Sequence, residues 1–307
     1  MTEEEQLKTY IPKKQVDIIL DTDTFNEIDD QYAISYLLAN QDRIHIKGFT
    51  VAPFYNEALV KDIAEGQKKS KLEIIKILKL TKNDSFIDCI YGGSDQFLQN
   101  EHNPINSPAA KFIISESKNY NASNPLYVVG IGAITNIASA ILLDPTIVER
   151  ICVVWLGGSS LGWWINHEYN MFQDFAAVRV VMSSAVPFVQ LPAQGVISEF
   201  VTTQYELEHW LNGKNKIGTF LYNRTLEVAL ANTKHKAWSR VIWDVLAVAW
   251  LINDDNRFMW GRIENRYLPA YEGNKYEDKP LDLKMYYVHQ INRDALMSDL
   301  FEKISNL

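Results

Sequence analysis

Apolar runs and segments of helical period alternate along the chain. Val16 to Leu20 is a near-continuous apolar run, and Ala33, Ile34, Leu37 and Leu38 then fall on one helical face. A second strand is expected over Ile44 to Ala52, followed by a helical tract from Glu57 to Leu80 whose stripe is Leu59, Ile63, Ile74, Ile77 and Leu78, with Gly66 as a break. Leu126 to Gly130 precedes a helix beginning near Thr135, and Ile151 to Leu156 precedes an aromatic loop and a helix from about Phe175. Val186 to Leu191 reads as a further strand, and the region from Ser198 to Trp243 as mainly helical. A strand over Leu283 to His289 and a helix over Arg293 to Ile304 close the pattern. The series is βαβ, so the expected fold class is α/β, with a Rossmann-like, mostly parallel central sheet flanked by helices. No repeat, low-complexity segment or linker divides the chain, which reads as one domain over residues 1–307.

Four carboxylates stand where the first strand gives way to the first helix. In VDIILDTDTFNEIDDQYAISYLLA, Asp21 and Asp23 are two apart and would project to one side of a strand, while Asp29 and Asp30 open the helix, whose dipole keeps them ionised. Such a group repels itself, and a hard divalent cation held by carboxylate oxygens, at roughly 2.3–2.6 Å for calcium, is the cheapest way to keep it together. A helix cap or a solvated loop would explain one of these residues but not all four.

Composition narrows the partners. Hydrophobic residues make up 47% and charged residues 22% of the 307, an ordinary globular balance with enough apolar material for a large core. The net charge of −8 comes with scattered basic residues, the densest cluster being Lys68, Lys69 and Lys71, so a nucleic-acid polymer is not expected as a partner. Two cysteines, Cys89 and Cys152, form neither a CxxC motif nor a disulfide framework and read as buried thiols in a reducing compartment. The opening MTEEEQLKTYIPKK is acidic and polar, and no apolar run reaches ~18 residues, so a cytoplasmic protein without a membrane span is expected.

In open α/β sheets ligands gather at the carboxyl ends of strands, and the polar punctuation of this chain sits there repeatedly. Asn56 in APFYN, the GIGAITN turn and GGSSLGWWINHEYN each follow an expected strand. GIGAITN lacks both the P-loop Lys-Ser/Thr and a complete GxGxxG, so a phosphate cradle is not expected.

DTDTFNEIDD resembles the N-terminal aspartate signature of the inosine-uridine nucleoside hydrolase family, and GAITNIA, VVWLGG followed by HEYN, and WDVLAVAW agree with it in order over roughly the whole chain. The resemblance implies calcium-dependent hydrolysis of the N-glycosidic bond of small ribonucleosides to free base and ribose, without a nucleotide cofactor, by a homo-oligomer (dimer or tetramer). Its implied calcium ligands are Asp23, Asp30, the carbonyl of Thr135, and Asp244, with Asp23 also the general base. Asp29 would accept hydrogen bonds from the ribose 2′ and 3′ hydroxyls, Glu168 and Asn170 would hold the sugar, Asn56 would help place the water, and Leu156 would pack beneath the ring. The chemistry suits such a set, because positive charge grows on the ribose as the bond breaks and a carboxylate-rich, water-poor pocket favours that state.

Three features depart from the family pattern. TFNEI separates Asp23 from Asp29 where the common form has a shorter Pro-Gly link, and Gly162-Trp163-Trp164 stands near an expected Gly-Asn pair. Trp243 occupies the place where many members carry a histidine that protonates the departing base. Indole donates no useful proton, but some purine-specific members stack tryptophan on the base there. A purine preference follows, with Trp163 or Trp164 as a second stacking partner. His167 is expected to be a surface residue rather than the missing acid, and Asp254 with Asp255 a solvated turn. Two other readings compete. DTDT alone resembles the nucleophile motif of haloacid-dehalogenase-type phosphatases, with Asp21 as nucleophile and magnesium as the ion, and a non-catalytic nucleoside or ribose binder would keep the sugar contacts without turnover.

Overall fold

Eight strands form a central sheet in the order β3-β2-β1-β4-β5-β6-β10-β9. These are β1 Val16–Thr22, β2 Ile44–Val51, β3 Ile90–Tyr91, β4 Leu126–Gly130, β5 Ile151–Leu156, β6 Phe188–Leu191, β9 Met259–Asn265 and β10 Lys284–Ile291, with β7 Val201–Thr203 and β8 Ser239–Val241 making a separate antiparallel pair. Every pairing in the large sheet is parallel except β9 with β10. The structure is a computed structural model describing residues 11, 12 and 15–307, so most of the N-terminal stretch behind the cytoplasmic expectation lies outside the described residues. Among the described residues, no helix is long and apolar enough to cross a membrane.

The sheet is buried on both faces because its strands are apolar at consecutive positions. Ile18 and Leu20 of β1, Tyr127 and Val129 of β4, and Cys152, Val154 and Leu156 of β5 enter one core, while Ile19, Val128, Val153 and Trp155 enter the other. Helices α1 Asp29–Leu38, α2 Ile63–Leu80, α9 Val245–Trp250 and α10 Arg293–Ser305 cover the first face. Helices α3 Pro108–Ser117, α4 Thr135–Leu143 and α6 Phe175–Ser183 cover the second. The remaining helices are α5 Tyr169–Gln173, α7 Gln204–Trp210 and α8 Lys216–Asn232. Each fully buried Leu or Ile contributes ~1.5–3 kcal/mol relative to exposure, so a one-residue slip of any central strand would put both cores at fault.

Several local expectations change. The helical tract starts at Ile63 rather than Glu57, because the Asp62 carboxylate accepts from the Glu65 N–H at 2.8 Å and caps it. Gly66 does not break this helix; it lets the Phe54 ring approach, where an added Cβ would stand 2.9 Å from Phe54 Cε1. The 198–243 region includes the β7–β8 pair as well as helices, and β9 is an additional strand whose charged, half-exposed sequence MWGRIEN carries little apolar signal. Cys152 is buried and Cys89 half-buried, both as free thiols. Asp254 lies in a short exposed 3-10 turn and pairs with Arg43 at 2.7 Å.

The strand ends that carry the polar residues are tied together by one side chain. Asn136, in the first turn of α4, donates from Nδ2 to Asp21 Oδ1 at 2.8 Å and to the Val51 carbonyl at 3.0 Å, and its Oδ1 accepts from the Ser94 N–H at 2.9 Å. It thereby joins the ends of β1 and β2 to the segment after β3. Asn136→Ala should lower the free energy of unfolding by about 2–4 kcal/mol, since it leaves the buried Asp21 carboxylate with Thr50 as its remaining donor and removes a donor from the buried Val51 carbonyl. Equilibrium urea denaturation checks this, and an unchanged midpoint would show that Asn136 does not hold the strand ends.

Candidate active site

The carboxyl ends of β1, β2, β4, β5 and β6 open onto one cavity of about 210 Å³. Asp23 follows β1, Asn56 follows β2, Ile131 follows β4, Leu156 ends β5, and Ala193 with Gln194 follow β6. Asp29 and Asp30 enter from the first turn of α1, Trp243 and Asp244 from the turn before α9, and Glu168, Tyr169 and Asn170 from the start of α5. Trp243 is half-buried and its indole N–H has no partner among the described residues.

Asp29, Asp30 and Asp244 each offer a carboxylate oxygen within 4.8 Å of the others, a spacing that can hold a metal ion. Neither Asp29 nor Asp30 caps α1 through its side chain, which removes the simplest structural reason for them. Thr22 donates its hydroxyl to Asp30, and Asp23 keeps a buried oxygen, Oδ2, with no partner among the described residues. Gly132 permits this crowding, because a Cβ there would stand 2.8 Å from Asp23 Oδ1. Burial, followed by repulsion from Asp30 and Asp29, pushes the Asp23 carboxyl well above the usual carboxylate range; burial does the same to Asp29, reinforced by Asp30 and Glu27, and to Asp244, reinforced by Asp29, Asp30 and Asp23. Asp30 is pushed up to about 7 by burial, against hydrogen bonds that lower it. Among the described residues, no lysine, arginine or histidine lines the cavity. The unpaired oxygen, the like charges and the absence of a protein cation fit a bound hard divalent ion.

Nine of the sequence-derived candidates therefore share one cavity: Asp23, Asp29, Asp30, Asn56, Leu156, Glu168, Asn170, Trp243 and Asp244. Thr135 does not. It opens α4, donates its hydroxyl to Asp174 at 2.6 Å, and places its carbonyl inside the helix, where the helical ladder uses it. The residue of GIGAITN that reaches the cavity is Ile131, whose carbonyl receives a hydrogen bond from Asn170 Nδ2 at 3.4 Å. Trp163 and Trp164 also lie off the wall; Trp164 is 82% exposed and Trp163 packs over Gly195. His167 is exposed and stacks on Phe172 with ring centres 4.0 Å apart.

Asp21 departs from its expected partnership with Asp23 because β1 ends at Thr22 and the chain turns, the Asn26 N–H bonding the Asp23 carbonyl at 2.8 Å. Asp21 is fully buried, accepts from Thr50 and Asn136, and is absent from the cavity wall, so it is not positioned as a phosphatase nucleophile. Glu168 is both a wall residue and the cap of α5: its carboxylate accepts from the N–H groups of Gly158, Asn170 and Met171 at 2.6, 3.0 and 3.0 Å.

The model of the inosine-uridine preferring nucleoside hydrolase family matches residues 18–290. The chain belongs to this family. It is similar to the pyrimidine-specific ribonucleoside hydrolase RihB of Escherichia coli, with 33% identity over 89 residues, a match spanning only 28% of this chain and 28% of that protein. A probable uridine nucleosidase of Arabidopsis thaliana is 24% identical over 228 residues, covering 66% of this chain and 67% of its own. Among solved structures, a plant nucleoside hydrolase superposes with a TM-score of 0.76 at 16% identity over 95% and 99% of the two chains. A purine-preferring ribonucleoside hydrolase from Gardnerella vaginalis superposes with a TM-score of 0.74 at 22% identity over 94% and 98%. These likenesses share the mostly parallel sheet with flanking helices found here.

In this nucleoside hydrolase family member the wall also contains residues that the sequence did not single out. Asn26 and Glu27 belong to the long TFNEI link, Glu27 pairing with Arg240 at 3.1 Å, so the departure in loop length was itself the signal for them. Tyr169 lies within the HEYN motif, whereas Ala193 and Gln194 carry no motif at all.

The raised carboxyls bind protons in the folded chain that the unfolded chain has released. From the ordinary value of 3.8 up to about 7, the window marked by Asp21 and Asp30, stability of metal-free protein should fall as pH rises. In chelator the melting temperature should drop from about pH 5 to about pH 8, and added calcium should reverse most of the drop. Differential scanning calorimetry in chelator and in calcium checks this, and a melting temperature that rises with pH in chelator would contradict it.

Proposed function

We propose that this chain is a calcium-dependent ribonucleoside hydrolase that cleaves the N-glycosidic bond to free base and ribose, preferring purines. The observation that carries the reading is the convergence of Asp23, Asp29, Asp30 and Asp244, from both ends of the chain, on one small cavity that also receives Glu168, Asn170 and Leu156. Asp30 and Asp244, which with Asp29 form the group of suitable spacing, would hold the ion together with Asp23 beside them on the wall, with the Ile131 carbonyl in the place expected for that of Thr135. When bound, calcium supplies positive charge that acidifies water and attracts vicinal hydroxyls.

The protein's own groups do the rest. Asp23, with Oδ2 unpartnered among the described residues, takes a proton from water as it attacks C1′, helped into position by Asn56. Asp29 accepts from the ribose hydroxyls, and Leu156 packs against the ring. The anionic wall favours the oxocarbenium-like state over neutral substrate. Asn170 is held by its Nδ2 bonds to the carbonyls of Leu156 at 3.1 Å and Ile131, leaving its Oδ1 for the sugar.

Trp243 lines the cavity rather than facing away from it, which supports stacking on the leaving base. Purines offer the larger face, so inosine, adenosine or guanosine are expected to outperform uridine. The names of RihB and of the Arabidopsis protein favour a second reading, a pyrimidine preference on the same site. Steady-state kcat/KM for inosine and uridine decides between them, and Trp243→Ala should lower kcat for purines at least about tenfold if stacking activates the base. Uridine turned over faster, or purine turnover untouched by the substitution, would overturn the purine reading.

Asp23→Asn should lower kcat by about 10²–10⁴-fold, and exhaustively chelated enzyme should be inactive until calcium is restored. Removing the 2′ hydroxyl from the substrate should cost about a hundredfold in kcat/KM or more, because polar groups built to bond it are left unpaired. Full activity in Asp23→Asn would sink the mechanism, and tight nucleoside binding without turnover in wild type would make the protein a binder.

A further inference from the structure

Gln194 is a polar side chain at the cavity for which the mechanism has no use. It lines the wall just after β6, and its carboxamide makes no hydrogen bond within the protein among the described residues. The backbone beneath it is fixed: the Gln194 carbonyl accepts from the Ser160 N–H at 2.8 Å, its N–H reaches the Gly158 carbonyl at 3.4 Å, and Ser159 and Gln194 form a parallel bridge. Gly195 follows at φ +85°, where a Cβ would collide with Ser160 Oγ and the Trp163 ring at 2.5 and 2.8 Å, so the Gln194 segment is seated against the 158–163 loop. With both main-chain groups committed, only the side chain is available to a ligand.

The strand order indicates which part of a ribonucleoside reaches it. Asp23 and Asn56 follow β1 and β2, Leu156 ends β5, and Gln194 follows β6, in the spatial sequence β2-β1-β4-β5-β6. From β1 to β6 is three strand spacings, about 14 Å. If water is activated at Asp23 and Asn56, C1′ lies toward the β1–β2 side with the base departing from its opposite face, and the ring rests over Leu156 on β5. C4′ is across the ring from C1′, so the C5′ hydroxymethyl points toward the end of β6. Gln194 also flanks the same residue as the sugar-holding Glu168, since Gly158 donates its N–H to Glu168 and its carbonyl faces the Gln194 N–H.

We propose that the Gln194 carboxamide hydrogen-bonds the 5′ hydroxyl of the ribose and is a specificity-determining residue for unmodified ribonucleosides over 5′-deoxy analogues. This rests on the ribonucleoside hydrolase reading above. A carboxamide can accept the hydroxyl proton or donate to its oxygen, and it carries no charge that would repel a neutral sugar next to Glu168.

The test is a cycle between enzyme and substrate. The kcat/KM values of inosine and 5′-deoxyinosine, and of uridine and 5′-deoxyuridine, are measured in calcium for wild type and for Gln194→Met, which keeps length while removing the amide. Wild type should lose about tenfold or more on loss of the 5′ hydroxyl, and Gln194→Met should lose less than about threefold. An equal loss in both enzymes overturns the proposal while leaving the hydrolase reading intact. If Gln194→Met does not fold, Gln194→Asn, one methylene shorter, should show the same reduced loss. Calorimetric affinities for the same four ligands provide the second readout: coupling in binding without turnover in wild type keeps the Gln194 contact and overturns hydrolysis, whereas no binding of any ligand overturns both.

Discussion

Asp23, Asp29, Asp30 and Asp244 repel one another in a place where water cannot screen them, and the surrounding structure is arranged to hold them there. All four are at least 96% buried, and burial is the largest cause of the upward push on each carboxyl. Thr22 donates to Asp30, Gly132 leaves room for Asp23, and α9 brings Asp244 against α1 from the far end of the chain. Left alone, such a cluster would take up protons and become neutral. A bound divalent ion would let it stay charged, the form that the proposed reaction requires.

The parallel sheet gives this cluster its direction. Because β1, β2, β4, β5 and β6 all run the same way, their carboxyl ends meet on one edge, and each contributes a different kind of group. Carboxylate and amide stand over β1 and β2, a flat apolar contact stands over β5, and a free amide stands over β6. In the proposed reading, a ribose laid across that row would meet acid–base chemistry at one end and hydroxyl recognition at the other. Asn136 keeps the row in register from below by bonding Asp21 and the Val51 carbonyl.

Residues that look interchangeable in the chain separate cleanly once strand ends are fixed. Asp21 and Asp23 share a motif, yet one supports and the other faces the cavity, because β1 ends between them. Thr135 and Ile131 share a turn, yet the threonine is already inside a helix whose hydrogen bonds consume its carbonyl. Trp163 and Trp164 offer the large aromatic faces that a base would favour, but their loop leaves Trp164 in solvent and folds Trp163 over Gly195.

The sequence alone determined the βαβ order, the burial of the sheet on both faces, the family, and most of the residues now found around the cavity. These are local properties: apolar period, a cluster of carboxylates at a strand exit, and short motifs in a fixed order, each legible within about twenty residues. The antiparallel β9 edge strand, the β7–β8 pair, and the arrival of Ala193 and Gln194 at the wall were decided only by tertiary structure. Nothing local marks them, since an edge strand needs no continuous apolar run and Gln194 reaches the wall only because β6 lies beside β5 and Gly158. Which side chain of a motif faces the ligand depends on where a neighbouring strand stops, and that is a property of the packed sheet rather than of the segment.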